Sequence, residues 1–140
     1  QISTRLTASP EVIHCDASHL QNALLNLGIN ARDAIDGAGE IVFASEGWDG
    51  KAPPQLVPGF YFTPGRYLVI KVSDTGAGVP PELTERIFEP FFTTRTDGTG
   101  LGLANADKIA REHGGQIRLD EDSGQGARFV LELPVGIPAL

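Results

Sequence analysis

Asn22, Asn26, Asn30 and Asp33 recur at i, i+4, i+8 and i+11, so a helix would align them in one stripe. Asparagine is a mediocre helix former, and three in a line lower helical propensity. Their amide oxygens are hard, neutral ligands of the kind Mg²⁺ accepts beside water and phosphate oxygens. Taken alone, the stripe reads equally well as a solvated polar face. A second group is Asp74-Thr75-Gly76-Ala77-Gly78. Asp74 ends an apolar run, so its carboxylate lies at the edge of a core. An ionised carboxylate only accepts hydrogen bonds. It therefore suits the exocyclic amine of adenine and opposes the carbonyl of guanine, which would leave a buried charge unpaired. Gly76 and Gly78 allow close backbone approach to a base, although Asp-Thr-Gly is also ordinary turn chemistry. The third group is Gly98-Thr99-Gly100-Leu101-Gly102, ahead of a helix. Backbone N–H groups at a helix start bind anions. No lysine follows as in a Walker loop, and no strand precedes as a dinucleotide fold requires. The stretch reads as a glycine-hinged lid over phosphates, with Arg95 adding a positive charge. Together the three groups specify a site for a nucleoside triphosphate held through a metal ion.

These groups need elements to carry them. Leu20, Leu24, Leu27, Ala31 and Ile35 recur at helical spacing, which predicts an amphipathic helix over 17–36. Asp16 is its N-cap, and Asp36-Gly37 with Gly39 ends it. One bent strand or two short ones are expected in 2–15, around Ser9-Pro10, and a strand over 40–46. A long connection follows at 47–66. Its aromatics, Trp48, Phe60, Tyr61 and Phe62, are more readily explained by packing on their own sheet than by docking a partner. The clearest strand is 66–74, with Leu68, Ile70 and Val72 on one face and Tyr67, Val69 and Lys71 on the other. A short helix is expected over 82–87 after Pro80-Pro81. A helix over 101–113 stops at Gly114-Gly115. Strands 116–121 and 127–133 form a hairpin about Ser123-Gly124-Gln125-Gly126, closed by Pro134. Strands and helices do not strictly alternate, so the class is α+β, with helices on one face of a mixed sheet.

At 140 residues and a net charge of −7, the chain is the size of one domain, and its charge argues against nucleic acid or an anionic membrane as main partner. Cys15 is the only cysteine, which excludes an internal disulfide. No apolar run approaches a bilayer span, and no signal-peptide pattern opens the chain. It contains no methionine and starts at Gln1 within an apparent strand, as a piece of a longer protein would.

The ordered set NLGINARDAI, DTGAGVP, IFEPFFTT, GTGLGLA, HGGQI and GARFVLELP resembles the catalytic and ATP-binding domain of bacterial sensor histidine kinases, in the GHKL superfamily shared with gyrase, Hsp90 and MutL. The likeness runs from about Asp16 to Pro134. It implies a two-layer α/β sandwich (the Bergerat fold), a mixed, mostly antiparallel sheet covered on one face by about three helices, and residues 1–140 as one such domain. It implies ATP and Mg²⁺ as ligands, with Asn30 the principal metal ligand and Asn26 supporting metal and phosphate. Asp74 would bind the adenine amine, framed by Gly76, Gly78 and Val79. Phe88 to Thr94, including Phe92, would anchor the lid, and Arg95, Gly98, Thr99, Gly100, Leu101 and Gly102 would lie along the phosphates. Many relatives carry Lys or Arg three residues after the metal asparagine. Here Asp33 stands there, with Arg32 beside it as a substitute cation, and the lid over 79–97 is short.

Hydrolysing relatives place a glutamate one turn before that asparagine, as general base for water. Here the residue is Asn26, and an amide cannot take a proton at neutral pH. Phosphoryl transfer needs mainly positioning and charge stabilisation, which favours a kinase. His14, His19 and His113 are the only histidines, and each reads as a surface or capping residue. The resemblance places the acceptor histidine on an upstream dimerising helical hairpin and a response-regulator receiver domain downstream. The isolated domain is then a cytoplasmic monomer and the parent a homodimer, whose membrane anchoring is left open. The alternative readings are an ATP-gated interaction module and a serine protein kinase of the same superfamily.

Overall fold

The computed structural model describes residues 2–6, 17–49, 56–57, 65–92, 101–120 and 126–135, with the backbone alone for 2–6 and 49. Its elements are β1 (Ile2–Leu6), α1 (Ala17–Ala34), β2 (Ile41–Asp49), β3 (Arg66–Asp74), a 3₁₀ turn (Pro81–Leu83), α2 (Gly102–Glu112), β4 (Gln116–Leu119) and β5 (Arg128–Pro134). The sheet order is β1-β2-β3-β5-β4. β1 runs parallel to β2, and every other neighbouring pair is antiparallel. This is an α+β sandwich with a mixed, mostly antiparallel sheet, as the sequence predicts.

Several boundaries differ from expectation. α1 stops at Ala34, and Ile35 closes the end with its N–H on Arg32 O at 3.2 Å. β2 continues past 46 through Trp48 and Asp49, because nine-residue β3 offers partners along that whole length: Trp48 lies opposite Tyr67. An aromatic pair of this kind favours a strand. The helix expected over 82–87 is instead a 3₁₀ turn followed by further turns. Leu83, Arg86 and Glu89 each donate an N–H to the carbonyl three residues back. Pro90 lacks the N–H that would bond the Arg86 carbonyl, so an α-helix cannot run on through it. The helical layer is thus two α-helices and a 3₁₀ turn among the described residues. Asp16 and most of 2–15, together with Phe60, Tyr61, Phe62 and the turn residues 121–125, lie outside the described residues.

The core forms where both helices meet the sheet. Ala23, Leu27 and Ala31 of α1 and Ala106, Ile109 and Ala110 of α2 are buried against Val72, Ile117, Phe129 and Leu131. Alanines on both helices allow close approach. Leu27 is 0% exposed, and burial of such a side chain stabilises by about 1.5–3 kcal/mol.

The opposite face of the sheet is buried too. Tyr67, Val69 and Val130 lie there with three polar residues, Gln116, Arg118 and Glu132. Glu132 Oε1 accepts from Gln116 Nε2 at 2.7 Å and from Arg118 Nε at 3.1 Å. Gln116 Oε1 accepts from the Val57 N–H at 2.8 Å. Val57, between β2 and β3 in sequence, is thereby held against β4, the far edge strand, on the back of the sheet.

Candidate functional site

α1 presents its polar stripe beside its core stripe, and the stripe divides. Asn22 is exposed. Asn26, Asn30 and Asp33 are half-buried and line a cavity of about 1090 Å³. Across from them are the start of α2, the segment from Ala77 to Phe92, and a floor of Ala127 and Phe129. Phe88 supports that floor from behind, edge-on to Phe129 with centroids 5.9 Å apart.

Asp74 is built into one end of this arrangement. β3 delivers it to the edge of the core, where it is 4% exposed. Its Oδ1 accepts from the N–H groups of Gly76 at 2.8 Å and Ala127 at 3.2 Å. Its own N–H donates to Ala127 O at 2.9 Å. Oδ2 is buried and has no hydrogen-bond partner. A buried carboxylate oxygen left this way is costly unless a ligand or water donates to it. Asp74 does not itself form the cavity surface, but the residues around it do: Ala34, Ala77, Gly78 and Ala127.

Glycines make this packing possible. A Cβ on Gly76 would collide with the Ala34 carbonyl, which also accepts from the Ala77 N–H at 3.4 Å. Thr75 ties the same loop to the end of α1: its N–H donates to Glu40 O at 3.2 Å, and its Oγ1 accepts from Glu40 N at 3.0 Å. Gly126 has φ +77° and lies so close to the Asp74 carbonyl that a Cβ would overlap it. Gly78 has φ +79°, and its added Cβ would sit 3.1 Å from Gly126 O. A positive φ of this size strains any residue with a side chain.

At the other end, α2 begins against α1: a Cβ on Gly102 would lie 3.9 Å from Asn26 Oδ1. The N-cap is Leu101, whose apolar side chain makes no capping hydrogen bond. The N–H groups of its first turn and the positive end of its dipole therefore face the cavity wall they help to form. Among the described residues no group of three or more His, Cys, Asp and Glu is arranged to hold a metal. The side-chain oxygens among the described residues lining the cavity are the amides of Asn26, Asn30 and Asn105 and the carboxylate of Asp33.

Of the residues singled out from sequence, Asn26, Asn30, Asp33, Gly78, Val79, Phe92, Leu101 and Gly102 line this one cavity, with Asp74 and Gly76 directly behind it. Phe92 is also covered by the Arg86 guanidinium, 4.6 Å above its ring. Thr94, Arg95, Gly98, Thr99 and Gly100 lie outside the described residues. Arg32, the substitute cation expected from sequence, points to its neighbour Asp33 and not into the cavity wall. Its side chain is 71% exposed, pairs with Asp33 at 3.4 Å, and is not part of the cavity wall. His19 and His113 meet edge-to-face at 6.1 Å, and neither lines the cavity. His14 lies outside the described residues. Sequence reasoning passed over Gly126, Ala127 and Lys108. The Gly-Gln-Gly before the last strand was a signal for the first two; a single lysine in an amphipathic helix gave none. No described helix is long and apolar enough to cross a membrane.

A family model described as histidine kinase-, DNA gyrase B-, and HSP90-like ATPase matches residues 15–137. The chain is 41% identical to the sensor histidine kinase ZraS of Escherichia coli O157:H7, over 98% of its own length and 27% of that protein's. It thus spans about a quarter of the length of this curated relative. Full-length ShkA in complex with AMPPNP superposes with a TM-score of 0.72 at 30% identity, covering 100% of this chain and 26% of that one. Histidine kinase ThkA, in a complex with the response regulator protein TrrA, gives 0.72 at 27% identity over 96% of this chain and 34% of that one.

Proposed function

Since this chain belongs to the histidine kinase-, DNA gyrase B- and HSP90-like ATPase family, we propose that it binds Mg-ATP between α1 and α2 and is the phosphoryl-donating domain of a two-component histidine kinase. The observation that carries this reading is the unpartnered, buried Oδ2 of Asp74 beside a cavity of about 1090 Å³. That size suits a small-molecule ligand. The adenine amine donates to Oδ2 directly or through one water, while Gly76 and Gly78 keep the backbone low against the base. Asn30, helped by Asn26, holds the metal, and the start of α2 receives phosphate. Thr94, Arg95, Gly98, Thr99 and Gly100 complete the phosphate contacts from the lid.

When bound, Mg-ATP supplies the transferable phosphoryl group and the charge that neutralises it. This chain's residues orient that group and exclude a competing proton acceptor. Asn26 stands where a water-activating base would, and its amide takes no proton. The acceptor histidine lies on a separate dimerising domain of the parent, and a response regulator receives the phosphoryl group afterwards. Support for these partners comes from ZraS, a sensor histidine kinase, and from ThkA, which forms a complex with a response regulator. The chain acts as one monomeric cytoplasmic domain within a homodimeric parent.

Calorimetric titration of the chain tests the reading. Saturable binding of ATP that strengthens with Mg²⁺, with GTP binding far more weakly, is expected; equal affinity for both would sink it. Labelled ATP together with a histidine-bearing hairpin should then give an acid-labile, base-stable phosphoprotein. An acid-stable ester would favour the serine-kinase reading.

A further inference from the structure

We infer that Lys108 is a cationic phosphate contact in this cavity and helps it tell a triphosphate from a diphosphate, an assignment that rests on the ATP reading above. Most described cations are already neutralised. Arg32 pairs with Asp33, Lys71 with Glu46, Arg86 with Glu89, Arg111 with Asp107, Arg118 with Glu132 and Arg128 with Asp120. Arg66 sits at the opposite end of β3 from Asp74. Lys108 makes no ion pair with a described residue, and it is the one Lys or Arg among the described residues that lines the cavity.

Its place on α2 explains how it gets there. Leu101, Asn105 and Lys108 are spaced i, i+4 and i+7, and all three line the cavity. Helical side chains lean toward the N-terminus of their helix. A lysine stem that follows this lean reaches back along the stripe toward the first turn of α2. The neighbouring acid, Asp107, does not capture it, because its Oδ2 accepts from Arg111 Nε at 3.0 Å.

The charge balance of the wall calls for such a group. Asn26 and Asn30 are neutral, Asp33 is acidic, and the start of α2 contributes only about half a positive charge. A triphosphate brings several negative charges to the end of the cavity away from Asp74. Lys108 answers them as a compact ammonium able to follow a mobile phosphate.

The test uses the 140-residue chain and measures binding of ATP, ADP and adenosine by calorimetry at two salt concentrations, for wild type, K108A, K108R and D74N. K108A should weaken ATP roughly tenfold, on the scale of one hydrogen bond to a charged group. ADP should lose less, and adenosine nothing. K108R should restore ATP binding, and the salt dependence of ATP affinity should flatten in K108A. D74N should weaken all three ligands. Wild-type ATP affinity in K108A, or an equal loss for adenosine, overturns the role of Lys108 while leaving the nucleotide site intact. Absence of nucleotide binding by the wild-type chain overturns both.

Discussion

Replacing Asp74 with asparagine removes one buried acceptor and changes almost nothing else. Oδ1 accepts from two backbone N–H groups, Gly76 at 2.8 Å and Ala127 at 3.2 Å. An amide nitrogen in that place would face two donors, so the Asn oxygen must take it. The amide NH₂ then occupies the position of Oδ2, which in Asp74 is buried and unpartnered. For an adenine amine this turns an acceptor into a donor. The lost charge-assisted hydrogen bond is worth about 1.5–3 kcal/mol, a factor of roughly ten to a hundred in affinity. Without ligand the variant exchanges an unpartnered carboxylate oxygen for an unpartnered NH₂, so its stability should stay within about 1–3 kcal/mol of wild type. The new NH₂ also suits the guanine carbonyl, so the preference for ATP over GTP should narrow. Calorimetry with both nucleotides and a thermal melt without either give these quantities. Unchanged ATP affinity would refute the assignment of the base end. A large fall in melting temperature would instead mean that Asp74 serves the fold.

Asn30→Ala should abolish the Mg²⁺-dependent part of ATP affinity and leave adenosine binding within twofold of wild type, measured by titration with and without metal. Gly126→Ala, at φ +77° against the Asp74 carbonyl, should destabilise the fold by about 1–3 kcal/mol or more and weaken adenosine; denaturant unfolding and the same titration report both. Glu132→Ala strands Arg118 and Gln116 on the back of the sheet and should cost about 3–5 kcal/mol in chemical denaturation. The folded fraction of that variant should bind ATP as wild type does, because Glu132 lies on the face turned away from the cavity.

What sequence could and could not give follows from the range of the interactions involved. The stripe of Asn26, Asn30 and Asp33 was visible because a helix repeats locally. Asp74 was visible because it ends nine residues of strongly apolar strand. The end of β2 was not, since Trp48 extends the strand only through Tyr67, nineteen residues away in the chain. Gly126 reads as a plain turn residue and Ala127 as the start of a strand, because their contacts with Asp74 span more than fifty residues of chain. The ion pair of Arg32 with adjacent Asp33 likewise required a side-chain direction that spacing does not encode. The burial of Gln116, Arg118 and Glu132 contradicts an ordinary polar-out pattern. It makes sense only once Val57 is seen to donate to Gln116.

The dependence of Asp74 on Ala127 has a consequence for the order in which the protein becomes competent. The asparagine helix is complete by Ala34, but one of the two N–H groups that fix Asp74 Oδ1 comes from Ala127, just ahead of β5 and 53 residues further along the chain. A chain in which the β4–β5 hairpin has not docked therefore has its amide stripe but lacks an N–H that fixes Asp74. With the base against Asp74 as proposed, binding also holds Ala127 and the β4–β5 hairpin beside it, so protection of that hairpin from proteolysis should track occupancy of the pocket.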